Sequence, residues 1–206
     1  MEDKRVVHIV DDEDAIRRSA SFMLKTSGFD VLSYPSGVAF LKAIGPDAPG
    51  CVLLDVRMPE MDGLEVQQAM ADRGIAMPVI VLTGHGDVTI AVRAMKGGAV
   101  DFIEKPFEKA VLLEAIAAAF DQIAQANGHG LRAEEAAKVL IAKLTGREQD
   151  VLKGLVQGMP NKTIAYDLGI SPRTVEVHRA NLMSKLGVRS LSEALRIGFS
   201  AGFAQC

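Results

Sequence analysis

Val52-Leu53-Leu54-Asp55-Val56-Arg57-Met58-Pro59 decides the fold. An apolar run carries one carboxylate to its C-terminal end and then breaks at a proline. Runs without polar alternation are characteristic of strands buried on both faces of a parallel sheet, and open α/β sheets bind ligands beyond the C-terminal ends of their strands. The reading places Asp55 at the mouth of a crevice. Three more apolar runs end in the same way: Val6–Val10 before Asp11 and Asp12, Val79–Leu82 before Thr83, and 100–104 before Lys105. Three carboxylates, a hydroxyl and an ammonium that converge on one point suit a hard divalent cation and a phosphoryl group.

Outward from that stretch, residues 1–120 alternate strand and helix signals five times. Strands are expected at 6–10, 30–34, 51–55, 78–83 and 100–104. Helices are expected at 14–27, 36–44, 63–73, 87–97 and 108–124. Strict alternation predicts a doubly wound parallel sheet, α/β, covered on both faces. Gly28, Gly74 and Gly97-Gly98 stand where helices should end. Asn127-Gly128-His129-Gly130 is a breaker, and 131–143 reads as a short helix bridging two halves.

From Leu144 the signals are helical only. Thr145 and Glu148 have capping-box spacing, and Gly158 should stop that helix. A helix over 161–168 ends at Gly169. Ser171-Pro172 opens another that runs to Leu186 and stops at Gly187, and Ser190 caps a last one. Two helices joined by Gly169-Ile170-Ser171 have helix-turn-helix spacing. The expected organisation is 1–124, an α/β domain; 125–143, a helical linker; and 144–206, a small all-α domain.

At 206 residues, with 49% hydrophobic and 24% charged residues, the composition is that of a soluble globular chain, with no signal peptide or membrane-spanning run expected. Cys51 in a buried strand and Cys206 at the end form no disulfide framework, so a cytoplasmic location with reduced thiols is expected. The net charge of −3 hides an asymmetry. Residues 1–124 hold 12 Lys+Arg against 19 Asp+Glu, a net −7; residues 125–206 hold 11 against 7, a net +4. The basic part is a nucleic-acid candidate.

Taken singly, each acidic-site residue has a plain reading: Asp55 as a turn residue, Asp11 to Glu13 as a solvated cap, Lys105-Pro106 as a strand exit. Their recurrence at successive strand ends favours chemistry. Mg²⁺ wants hard oxygen ligands, which Asp11, Asp12 and Asp55 supply. Asp55 is then a nucleophile for a phosphoryl group, with Lys105 and Thr83 meeting its oxygens.

The N-terminal half, with Asp11-Asp12, Asp55, Thr83 and Lys105-Pro106, resembles a response-regulator receiver domain. The resemblance implies strand order 2-1-3-4-5, Mg²⁺ held by Asp12, Asp55 and the Arg57 carbonyl with help from Asp11, and Asp55 as phosphoacceptor. It makes Thr83 and Phe102 switch residues; for Phe102 an ordinary core phenylalanine is an equal reading. Lys105-Pro106 matches a peptide that is often cis in the family. Thr83-Gly-His-Gly-Asp-Val88 and Ala94 to Phe107 resemble the FixJ subfamily, where they lie in and beside a dimer-forming face.

On a helical wheel of 173–186, Val175, His178, Leu182 and Leu186 form the core side. Arg173, Glu176, Val177, Ala180 and Ser184 lie opposite, as a face for a major groove. Thr174, Asn181 and Lys185 flank it on one side and Arg179 on the other, as phosphate contacts, with Lys162 on the preceding helix a further one. A solvated face of a helical bundle is the competing reading. The Leu144 to Glu148, Asn161 to Ala165 and Ser171 to Val175 segments, with His178 and Lys185-Leu186, resemble the LuxR-type helix-turn-helix domain.

Together the resemblances imply a response regulator and not an enzyme. Its partners would be a sensor histidine kinase, promoter DNA and RNA polymerase, without a membrane. It would form a homodimer when phosphorylated and activate transcription; the FixJ likeness adds nitrogen-fixation genes. A haloacid-dehalogenase phosphatase would want a second Asp where Arg57 stands. A ligand-sensing LuxR regulator would want an apolar pocket, typically with aromatics, and this chain has no Trp and two Tyr. A regulator working without phosphorylation would not need the complete acidic site.

Overall fold

A computed structural model describes residues 5–84, 88–125 and 130–203. The His85 to Asp87 part of the FixJ-like stretch, the Asn127 to His129 breaker and Cys206 lie outside the described residues. By compactness the chain forms two units, Met1–Gly86 with Lys96–Ala126 and Asp87–Met95 with Asn127–Cys206.

In chain order the elements of the α/β region are β1 (Val6–Val10), α1 (Asp14–Lys25), β2 (Asp30–Tyr34), α2 (Gly37–Ala43), β3 (Cys51–Asp55), α3 (Gly63–Asp72), β4 (Val79–Thr83), α4 (Val88–Lys96), β5 (Asp101–Glu104) and α5 (Lys109–Gln125). The strands pair in parallel in the order β2-β1-β3-β4-β5, the doubly wound sheet expected. Every residue of β3 and β4 is buried, because a central parallel strand has neighbours at both edges and helices on both faces. Val7, Ile9, Leu53, Ile80, Leu82 and Ile103 belong to one buried cluster with Leu24 of α1 and Leu112 and Ile116 of α5.

Several boundaries differ from expectation by one or two residues, and two of them have clear local reasons. Helix α1 stops at Lys25 and not at residue 27, because the hydroxyls of Thr26 and Ser27 both donate to the Met23 carbonyl, at 2.9 and 2.8 Å. Such bonds compete with continued helix, and Gly28 then turns at φ 88°. Strand β4 begins at Val79, because Pro78 has no N–H to give the ladder; its carbonyl accepts from Val52 N–H at 2.9 Å.

Besides most of α4, the second unit holds α6 (Gly130–Ile141), α7 (Gly146–Val156), α8 (Asn161–Leu168), α9 (Pro172–Leu186) and α10 (Leu191–Ser200). Helix α6, expected within a connecting segment over 125–143, packs against α10 and α9 and buries Ala137 and Ile141. The capping box is present in full: Thr145 accepts from Glu148 N–H, and Glu148 accepts from Thr145 N–H at 2.8 Å. Ser171 caps α9 with Pro172 in its first turn. Between α8 and α9, Gly169 takes φ 65° and ψ 35°, a left-handed turn that a side chain resists. A Cβ on Gly154 of α7 would stand 2.8 Å from Ile164 of α8, so the absence of a side chain there sets how closely these helices approach. Among the described residues no helix is long and apolar enough to cross a membrane.

Candidate functional site

Parallel register gathers the site. Val10 pairs with Leu54, Asp55 with Leu82 and Thr83 with Glu104, so the residues just beyond β1, β3, β4 and β5 share one edge of the sheet. Asp55 is the last residue of β3. It is 5% exposed, deeper than a crevice mouth, and Lys105 lies against it. The Lys105 ammonium donates to Asp11 Oδ2 at 2.7 Å and stands 2.9 Å from Asp55 Oδ1. The peptide from Lys105 to Pro106 is cis.

Asp11 is fully buried; its second oxygen, Oδ1, accepts from Glu13 N–H at 2.8 Å. Asp12 is exposed. One carboxylate oxygen from each of Asp11, Asp12 and Asp55 lies within 4.8 Å of the others. Three convergent hard oxygens fit Mg²⁺, with positions left for water and phosphate oxygens. The Lys105 ammonium among them offsets only part of their charge.

Burial pushes the Asp55 carboxyl up, and Lys105 pulls it partly back. Burial alone would lower Lys105, but its hydrogen bonds to Asp11 and Asp55 outweigh that and hold it above the usual lysine value. The ammonium therefore stays charged. A cation bound beside Asp55 would favour its ionised, nucleophilic form.

Thr83 is 2% exposed and its hydroxyl donates to the Gly84 carbonyl at 2.9 Å, so it is at the strand end but turned to its own loop. Arg57 is exposed, two residues beyond Asp55. Phe102 sits on the edge strand β5 and is half-buried. The sequence reading missed Arg17 of α1, whose guanidinium donates to the Asp11 carbonyl at 2.7 Å. Its place one turn after the acidic run was the available signal.

In the second unit Val175, Leu182 and Leu186 are buried and His178 is half-buried, while Arg173, Glu176, Val177, Ala180, Asn181 and Ser184 are exposed. The groove-facing wheel is thus an outer face of α9. Lys162 is exposed on α8. Three flanking residues are engaged within the unit. Thr174 shares the Ser171 cap, with their hydroxyls 2.8 Å apart. Arg179 donates to Asn161 Oδ1 at 3.1 Å. Lys185, read as a flanking phosphate contact, donates to Glu148 Oε2 at 2.7 Å, because α9 packs on α7 and brings its last turn over the Glu148 cap. Glu148 is 3% exposed; the Lys185 bond holds its carboxyl below the usual value.

Residues 7–117 match the response regulator receiver domain family, and residues 142–197 match the luxR family of bacterial regulatory proteins. The chain is 50% identical over 198 residues to the transcriptional regulatory protein FixJ of Azorhizobium caulinodans, covering 96% of this chain and 93% of that protein. It is 50% identical over 198 residues to FixJ of Rhizobium meliloti, covering 96% of each. Among solved structures, full-length FixJ from B. japonicum is 43% identical, with a TM-score of 0.56 and coverage of 97% of this chain and 98% of that one.

Proposed function

This chain belongs to the FixJ-type response regulators, two-component transcriptional regulators that join a receiver domain to a LuxR-type DNA-binding domain, and on that premise we propose that Asp55 is the residue a sensor histidine kinase phosphorylates. The observation that supports this most is the contact of the Lys105 ammonium with both Asp11 and Asp55 at the sheet edge. An Asp55 oxygen attacks phosphorus; the new O–P bond forms as the bond to the donor histidine breaks, and the freed imidazole leaves with the electron pair. Lys105 meets the charge on the phosphoryl oxygens. Thr83 leaves the Gly84 carbonyl to donate to one of them, and Phe102, half-buried on the neighbouring strand β5, turns inward. Asp11, Asp12, Asp55 and the Arg57 carbonyl would hold Mg²⁺, which when bound neutralises part of the carboxylate and phosphoryl charge.

In this reading the protein works in the cytoplasm, with 1–124 as receiver and 144–206 as DNA-binding domain. The phosphorylated receiver dimerises through helix 87–97 and strand 100–104. Two α9 helices then enter two half-sites of promoter DNA, with Arg173, Glu176, Val177, Ala180 and Ser184 at the groove and Asn181 and Lys162 at phosphates. RNA polymerase is recruited and transcription rises; from the FixJ likeness the targets include nitrogen-fixation genes. The site itself is tested by incubating the protein with acetyl phosphate and Mg²⁺ and resolving it on a phosphate-affinity gel. A retarded species is expected for the wild type and none for Asp55→Asn. A retarded Asp55→Asn band of equal yield would refute the assignment.

A further inference from the structure

Two of the three site carboxylates come from the short loop between β1 and α1, and the loop's course fixes where they point. Asp11 is held at each of its polar atoms. Its N–H donates to the Tyr34 carbonyl at 3.3 Å. Oδ1 accepts from Glu13 N–H at 2.8 Å and Oδ2 from Lys105 at 2.7 Å. Its carbonyl accepts from Arg17 Nη1 at 2.7 Å, while Arg17 Nη2 donates to Asp14 Oδ1 at 3.2 Å. The Arg17 side chain is 16% exposed. Its neighbour Arg18 is 81% exposed and reaches only the other oxygen of Asp14, at 2.6 Å. The two arginines therefore differ: Arg18 makes a surface pair of little energetic weight, and Arg17 grips the backbone of the loop.

The Asp11 carbonyl lies in the same peptide plane as the Asp12 N–H. Fixing that plane fixes where the Asp12 Cα sits, and Asp12 is the exposed carboxylate of the three, with Asp11 and Asp55 buried. We propose that Arg17 is a positioning residue for the metal-binding loop: by holding the Asp11 carbonyl it keeps the Asp12 carboxylate within reach of Asp11 and Asp55 and so sets the affinity for a divalent cation. The inference rests on the reading that this acidic pocket holds Mg²⁺.

Two physical effects of Arg17 oppose each other, and their signs separate the proposal from its rival. As a bare positive charge near the pocket, Arg17 repels a cation, so its removal would strengthen Mg²⁺ binding. As a support behind the ligands, its removal weakens binding, and supports of this kind change metal affinity by about 10- to 100-fold. Calorimetric titration of MgCl₂ into the full-length protein reads the sign. The expected result is a 10- to 100-fold weaker affinity for Arg17→Met, partial recovery in Arg17→Lys, which keeps one donor, and no change in Arg18→Met. An unchanged or tighter affinity in Arg17→Met overturns the proposal. If that variant does not fold, Arg17→Gln decides by the same criterion. A wild type that takes up no Mg²⁺, or an Asp12→Asn variant that binds as well as wild type, refutes the metal reading itself and this inference with it.

Discussion

His8 shows how a single buried residue ties stability to pH in the receiver. It is 2% exposed, with Nε2 3.0 Å from the Pro49 carbonyl and Nδ1 3.3 Å from the Tyr34 hydroxyl. Burial lowers its pKa, and the Pro49 carbonyl offsets part of that. The unfolded chain therefore binds a proton below about pH 6.5 that the folded chain declines. His8 contributes nothing against stability above that pH and progressively lowers it as pH falls toward the folded value. Urea midpoints of wild type and His8→Gln, compared from pH 7.5 to 5.5, should diverge downward on acidification, with the wild type losing more. Parallel curves would contradict this assignment. At the acidic site, residue identity was legible: Asp11, Asp12, Asp55 and Lys105 each stand within two positions of the end of an apolar stretch. Their hydrogen bonds were not, since Lys105 and Asp11 are 94 residues apart in the chain, and only strand register brings them together.

Element boundaries were legible where one unambiguous local signal sets them. Thr145 with Glu148, Ser171 with Pro172, and Gly169 carry their instructions within four residues. The end of α1 was not, because Thr26 and Ser27 could equally have continued the helix, and their bonds to Met23 decide it. The outer face of α9 was legible as a wheel. The commitment of Lys185 to Glu148, 37 residues away, depended on tertiary packing. That contact has two measurable consequences. Thr145→Ala should cost the protein about 1 kcal/mol of stability by removing one half of the capping box, measured as the free energy of the unfolding transition that includes the DNA-binding domain. Glu148 is held below about 4.5 by Lys185. Its contribution is therefore complete above pH 4.5 and lost as pH falls through the folded value; Glu148→Gln should flatten that acid limb.

The same element-scale view separates struts from contacts in DNA binding. Neutralising a lysine that meets a phosphate lowers the salt dependence of binding by about one counterion. Lys162→Met should do so, and Lys185→Met should leave the slope unchanged while lowering stability. Arg173→Ala should weaken binding to the cognate site about 10- to 100-fold and discriminate less among sites. Equal slopes for wild type and Lys162→Met in fluorescence-anisotropy titrations over a salt series would remove Lys162 from the interface.

At the scale of the whole molecule, a net −7 half and a net +4 half do different work in the proposed function, one taking a phosphoryl group and the other meeting a polyanion. In the proposed function, chemistry at Asp55 changes how many chains associate. Sedimentation equilibrium of the full-length protein with Mg²⁺, with and without beryllofluoride as a stand-in for the aspartyl phosphate, tests it most directly. The predicted result is a monomer that becomes a dimer on adding beryllofluoride, with Asp55→Asn remaining monomeric under both conditions. An unchanged mass in the wild type, or a dimer formed equally by Asp55→Asn, would contradict it.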